Sequence, residues 1–158
     1  MGVDIKYRIY IAFLRLVALL PTKFLYLLSD MAYPVVYYIV RYRRGTVRHN
    51  LELVYGKNDP KRIRSIEKKY YRHLCDCIVE TVKLLHISDE EIDRRVEVPN
   101  GEYIDSIARS GHSVVLFLGH YGNWELAQAV TRHLREPLVG AQIYKPLRDP
   151  VMEKVMLD

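Results

Sequence analysis

The 158-residue chain has few of the residues that would narrow its function directly. Its only two cysteines, Cys75 and Cys77, are too close in sequence to bridge readily, so a reducing compartment is the simplest expectation. A metal site is also disfavoured. On a helix His73 and Cys77 lie on one face while Cys75 lies on another, and the sequence has no second cluster of metal ligands. We therefore expect neither a metal nor another cofactor.

Long apolar runs are missing from the amino-terminal region, where a membrane-spanning helix needs about 20 mainly apolar residues. The longest uncharged run there is the ten residues 31–40, and Arg15, Lys23 and Asp30 interrupt every longer stretch. No small-residue cleavage site follows the first apolar run, so a secretory signal is disfavoured. The pattern predicts helices that lie in a membrane interface, with tyrosines at headgroup depth. Two alternatives stay open: a single span with Arg15 near one end, and helices that cover the soluble core of the same protein.

Positive charge is concentrated in the first half of the chain. Residues 1–73 hold 15 Lys and Arg against 5 Asp and Glu, whereas residues 74–158 hold 9 against 14. The charge lies within and just after strongly apolar sequence, so we expect no nucleic-acid partner. Anionic lipid fits better, since each Lys or Arg near a negatively charged leaflet contributes about 1 kcal/mol. The alternative is a solvated run of charge. The residues expected to face the membrane surface are Arg41, Arg43, Arg44 and Arg48.

After this basic cluster the sequence reads as an ordinary soluble domain, which gives a membrane-associated helical region over 1–45 and a second domain over 46–158. Asp59 followed by Pro60 predicts the start of a helix that runs to about His86. Ser88, with Glu91 three residues on, predicts a capped short helix. The apolar face expected on the long helix comprises Ile63, Ile66, Tyr70, Leu74, Cys77, Ile78, Thr81, Leu84 and Leu85.

Near residue 113 the spacing of apolar residues changes from one typical of helices to one typical of strands. After a helix capped by Asn100, the apolar, β-branched run 113–118 predicts a strand buried on both faces, and 96–98 predicts a brief one. A helix over 122–134 and a strand over 137–143 would complete a right-handed crossover unit. Asp149 and Pro150 predict the start of one more helix. The expected fold class is therefore α/β with a partly parallel sheet, preceded by amino-terminal helices.

The residues best suited to catalysis lie at the turn after the main predicted strand. His120 would sit at the strand's end and Glu125 on the first turn of the following helix, where ligands bind in open α/β sheets. An imidazole can take a proton from a hydroxyl at neutral pH, and a carboxylate can orient it. The backbone N–H groups of Gly122 and Asn123 would lie near a helix amino end, which can bind an oxyanion or a phosphate. The alternative is that His120 and Glu125 merely satisfy a strand-to-helix turn.

The segment 119–125 reads Gly-His-Tyr-Gly-Asn-Trp-Glu and resembles a known catalytic motif, H-x-x-x-x-(D/E). It is similar to the His-Phe-Gly-Asn-Trp-Glu form typical of bacterial lipid A biosynthesis acyltransferases, the late lauroyl and myristoyl transferases of the lysophospholipid-acyltransferase-like superfamily, with Tyr121 in the Phe position. Arg-His-Asn-Leu at 48–51 resembles the family's Arg-x-Asn-Leu. Tyr-Lys-Pro-Leu-Arg-Asp-Pro at 144–150 resembles its Tyr-Arg-Pro-Leu-x-x-Pro. The resemblance covers nearly the whole chain.

The resemblance implies a glycerol-phosphate-acyltransferase-like α/β domain that moves a fatty acyl chain from acyl carrier protein or acyl-CoA to a hydroxyl of a lipid A precursor. The reaction would take place at the cytoplasmic face of the bacterial inner membrane. By the same resemblance, His120 and Glu125 form the catalytic dyad. Lys145 and Arg148 could bind acceptor phosphate or be ordinary surface charge.

The family is considerably longer than this sequence, so we expect an amino-terminal fragment of such an enzyme. Two other functions remain open at this point. One is a membrane-bound fragment or binding module without catalysis, and the other is an acyltransferase for a different phospholipid or aminolipid acceptor.

Overall fold

The computed structural model describes residues 2–135, 139–141, 143, 146–150 and 153–154. The chain forms two compact units, one made of residues 19–83 and the other of residues 1–18 together with 84–158. The domain boundary expected near residue 45 stays a prediction.

The unit of residues 19–83 is helical. Helix α2 spans Thr22–Pro34 and continues as a π-helical segment, Val35–Val40, while α3 spans Arg44–Tyr55 and α4 spans Pro60–Lys83. The breaks follow from local chemistry: Pro21 precedes α2, and Gly56 ends α3 with φ of 75°, a left-handed conformation that favours glycine. Asp59 accepts the backbone N–H of Arg62 at 2.9 Å, which confirms the predicted start of the long helix.

The core of this unit forms where α2 and the π-helical segment pack on α4. Its buried residues include Leu25 and Tyr37, and polar contacts bind the same faces together. The Ser29 hydroxyl donates to Asp76 Oδ1 at 2.6 Å, and the Tyr26 hydroxyl donates to Glu80 Oε1 at 2.6 Å. The bond from Tyr26 gives Glu80 a structural role that the sequence did not indicate.

The buried face of α4 differs from the predicted one. Tyr70 and Ile78 were expected to be buried, but both are exposed. The buried stripe instead follows a strict spacing of four residues and includes a carboxylate, because Glu67 pairs with arginines of α3. The stripe comprises Ile63, Glu67, Tyr71 and Cys75.

The second unit contains α1 (Gly2–Ala18), a 3-10 turn (Leu84–His86), α5 (Asp89–Arg95), α6 (Gly101–Arg109) and a 3-10 helix (Trp124–His133). Its apolar cluster is built from α1 and the first 3-10 turn. There the buried Tyr7 and Ile11 pack against Leu14 and Leu85. The Lys154 ammonium lies 4.4 Å from the centre of the Tyr7 ring, which is a cation–π contact.

The two short α-helices of this unit begin at the predicted positions, but only the first has the predicted side-chain cap. The Ser88 side chain accepts the backbone N–H of Glu91 at 3.3 Å, which confirms the predicted cap of α5. Asn100 stands at the N-cap of α6, although its side chain makes no capping hydrogen bond. Beyond the end of α6, Gly111 adopts φ of 80° and the helix does not continue.

The predicted α/β fold with a partly parallel sheet is wrong for the described residues, which contain helices and no strand. Residues 113–118 were expected to be a doubly buried strand, but Phe117 is 94% exposed and Val115 is 75% exposed. Residues 96–98, 139–141 and 143 are not in strands either, and the rest of the expected strand 137–143 lies outside the described residues. A strand needs a neighbour for its backbone hydrogen bonds, and an apolar run alone does not supply one.

Two helices expose apolar faces. In α1 the outward stripe includes Ile5, Ile9 and Phe13, and in α2 it includes Leu27 and Met31. Among the described residues, no single helix has both the length and the apolar character needed to cross a membrane. The bent pair Ile5–Ala18 and Thr22–Val40 meets these two criteria only when taken together.

Candidate functional site

Residues 119–123 form a tight turn that leads from the irregular residues 113–118 into the 3-10 helix, which begins at Trp124. The backbone N–H of Tyr121 donates to the Gly119 carbonyl at 2.8 Å, which closes the turn. Gly122 follows with φ of 62°, a conformation that a residue with a side chain rarely adopts. The turn leaves the side chains of His120 and Tyr121 exposed to solvent.

Asn123 caps the 3-10 helix that follows the turn. Its side-chain oxygen accepts the backbone N–H of Glu125 at 3.3 Å, and its carbonyl accepts the backbone N–H of Leu126 at 3.3 Å. Glu125 therefore lies in the first turn of a helical segment, with its side chain half-buried. The cap fixes the direction in which the chain leaves the motif.

The imidazole of His120 contacts an aromatic ring and not the carboxylate predicted to orient it. The rings of His120 and Trp124 meet edge to face, with centroids 4.6 Å apart. No hydrogen bond joins the described side chains of His120 and Glu125. In the structure the His120 side chain therefore contacts Trp124. The role of Glu125 as the group that orients the imidazole stays a prediction.

The 3-10 helix is anchored at its far end by ion pairs to α5. Arg132 contacts Asp89 at 2.9 Å and Asp93 at 3.6 Å, and the hydrogen bond to Asp89 raises the pKa of the arginine. Just beyond, the buried carboxylate of Asp105 on α6 accepts the backbone N–H of Arg135 at 3.0 Å. These contacts position the helical segment that carries Glu125.

This arrangement suits general base catalysis on a substrate that approaches from solvent. An exposed imidazole can accept the proton of a bound hydroxyl, and the edge-to-face contact with Trp124 limits the orientations of the ring. The family model of bacterial lipid A biosynthesis acyltransferases matches residues 4–158.

The chain belongs to that family. This confirms the resemblance carried by the motif at 119–125, and it makes the chain part of an acyltransferase family with an acyl donor and a lipid acceptor. Searches of curated proteins and of solved structures gave no match.

The residues expected to bind acceptor phosphate in this acyltransferase are only partly described. Arg148 is exposed, next to Leu147, whose backbone N–H donates to Glu153 Oε2 at 2.6 Å. Lys145 lies outside the described residues. Binding of phosphate by either residue stays a prediction.

Two of the arginines expected at the membrane surface are tied to a buried carboxylate. Glu67 is 0% exposed, and it accepts hydrogen bonds from Arg44 Nε at 2.8 Å and from Arg48 at 2.8 and 3.1 Å. Burial raises the pKa of Glu67, but the hydrogen bonds from Arg48 and Arg44 outweigh burial and hold that pKa below its ordinary value. Arg41 and Arg43 are exposed.

Sequence reasoning missed Glu67 altogether. The one signal that could have found it is its spacing, because it stands four residues from both Ile63 and Tyr71 on α4 and so shares their face. A carboxylate on a buried face needs cationic partners, and the two arginines of α3 provide them.

Proposed function

We propose that the chain takes part in transferring a fatty acyl group from an acyl thioester, carried by acyl carrier protein or CoA, to a hydroxyl of a lipid A precursor. In this reaction His120 accepts the hydroxyl proton as the oxygen attacks the thioester carbonyl. The carbon–sulfur bond then breaks, and the proton passes to the departing thiolate. Glu125 orients the imidazole and stabilises its charged form.

The observation that carries this proposal is the family match over residues 4–158, which includes the exposed turn with His120. Two local features are consistent with it. The left-handed Gly122 has open space around it, since an added methyl group would meet nothing within 4 Å. Glu125 stands in the first turn of the 3-10 helix, directly after the turn that carries His120.

We place the reaction at the cytoplasmic face of the bacterial inner membrane. The exposed apolar stripes of α1 and α2 are suited to the acyl region of a leaflet, where their burial would contribute about 25 cal/mol per Å². The basic residues that follow α2 would meet anionic headgroups. They are Arg41, Arg43, Arg44 and Arg48.

The test measures thiol release from an acyl thioester and acylation of the lipid by the chain bound to membranes. We expect His120→Ala and Glu125→Gln to abolish or strongly reduce both, while membrane binding persists. His49→Ala and Glu102→Gln are matched controls, because both side chains are exposed and lie outside residues 119–125, and His49 occupies the variable position of the block at 48–51. Equal turnover by Glu125→Gln and Glu102→Gln would remove Glu125 from the mechanism.

A membrane-binding role without catalysis is the second candidate. The observation that favours it is that the described side chains of His120 and Glu125 do not meet. In that case the chain would bind anionic vesicles in a salt-sensitive way, and no thiol would be released above the rate without protein.

A further inference from the structure

A basic cavity of about 400 Å³ lies between α3 and α4, beside the loop that joins them. It is separate in sequence from the motif at 119–125, and the proposed catalysis makes no use of it. Its lining contains five cationic side chains and one carboxylate. These charged residues are Arg44, Arg48, Lys57, Lys61, Arg64 and Glu52.

One wall of the cavity is held in place by the buried carboxylate of Glu67. Its three hydrogen bonds, of 2.8 to 3.1 Å, fix the guanidinium groups of Arg44 and Arg48. Arg44 is further held over the Tyr37 ring, 4.4 Å from its centre. Both arginines remain partly exposed, at 22% and 42%, so they can still donate to a ligand. A site whose donors are fixed before binding loses less entropy when the ligand arrives.

The remaining cations outnumber the one carboxylate of the lining and form no ion pair with it. Lys57, Lys61 and Arg64 are exposed, and none of them forms an ion pair with another described residue. Like charges gathered in one cavity repel each other, and a bound anion relieves that repulsion. Arginine forks match the oxygens of a phosphate group, and lysines add point charge.

The surroundings of the cavity indicate where the phosphate comes from. Leu53 and Val54, near the end of α3, are 72% and 74% exposed. Exposed apolar side chains on the helix that supplies the cavity's arginines fit an amphiphile whose headgroup is anionic and whose tails are apolar.

We propose that this cavity binds a phosphate group and that the phosphate belongs to a lipid headgroup. The lipid source rests on the proposed membrane function, whereas the phosphate site does not. Neither depends on His120 or Glu125.

The test compares binding to phosphatidylcholine vesicles that contain either phosphatidate or oleate at matched surface charge. Lys57→Gln with Lys61→Gln removes two cations from the cavity. The control is Lys23→Gln with Lys69→Gln, which removes two exposed lysines of the same unit outside the lining. At about 1 kcal/mol per lysine, the first pair weakens binding to phosphatidate vesicles by tenfold or more, and the control pair by clearly less.

Two results would overturn the phosphate site: equal losses in the two double variants, or equal binding of wild type to oleate and phosphatidate vesicles. A second arm titrates inorganic phosphate without vesicles, with competition expected against phosphatidate. In one outcome inorganic phosphate binds to wild type, the cavity variant loses that binding, and neither protein binds phosphatidate vesicles. That outcome would support the phosphate site and contradict a lipid as the source of the phosphate. Acyl transfer by the His120→Ala variant reports separately on the proposed function.

Discussion

Replacing Glu67 by Gln removes the charge that holds Arg44 and Arg48 and leaves the shape of the side chain nearly unchanged. Glu67 is fully buried and accepts three hydrogen bonds from these arginines. An amide oxygen in the place of Oε1 can still accept two of them, but the amide NH₂ group in the place of Oε2 would face the Nε–H donor of Arg48. The variant therefore loses the ion pairs together with part of their hydrogen bonding.

The expected cost follows from the burial of each partner. Removing one member of a buried ion pair costs about 3–5 kcal/mol. Here the side chains of Arg44 and Arg48 are 22% and 42% exposed, so water screens part of the positive charge that the variant leaves unpaired. We therefore expect Glu67→Gln to lower the free energy of unfolding of residues 19–83 by about 2–3 kcal/mol.

Hydrogen exchange of the backbone amides in α3 and α4 measures this loss in the unit that contains it. A cost of about 2–3 kcal/mol predicts exchange faster by about 30- to 150-fold in the amides that open with the whole unit. Asp30→Asn, which removes an exposed carboxylate from α2, is the control and changes stability by less than about 0.5 kcal/mol. Similar exchange rates in the two variants would refute a stabilising role for Glu67.

Three further predictions concern acid stability and two local contacts. The folded-state pKa of Glu67 lies below its unfolded value of about 4.3, so the stability that this carboxylate contributes is complete above that pH and is lost as the pH falls through the folded-state pKa. The free energies of unfolding of wild type and Glu67→Gln will therefore converge in an acid titration, and parallel curves would contradict this. Ser88→Ala removes the cap of α5 and costs about 1 kcal/mol, seen as faster exchange of the Glu91 amide, and unchanged exchange would contradict it. Gly122→Ala forces a side chain into a left-handed conformation and costs about 1–2 kcal/mol in thermal unfolding, although the space there is open, and an unchanged melting temperature would contradict it.

Local rules in the sequence predicted helix starts well. Asp59 and Pro60 open α4, and Ser88 caps α5. Each of these features depends on a side chain and a backbone group within three residues of one another, so the sequence contains both partners.

Features that depend on distant partners were predicted poorly. The apolar run 113–118 indicated a buried strand, but burial and pairing depend on chain segments that the run itself does not specify. Glu67 was missed for the same reason, since its partners lie 19 and 23 residues away on another helix. The motif at 119–125 was found because its residue types are specific to a family, although the sequence did not reveal the contact of His120 with Trp124.

The rate of acyl product formation by His120→Ala, compared with His49→Ala in the same membrane preparation, tests the proposed catalysis most directly. A general base contributes about 10²- to 10⁴-fold to a rate, so His120→Ala is expected to lose at least about 100-fold while His49→Ala keeps the wild-type rate. Membrane binding and the unfolding transition of both variants should match those of wild type. Product formation by His120→Ala at the rate of His49→Ala would contradict the assignment of His120 as the base.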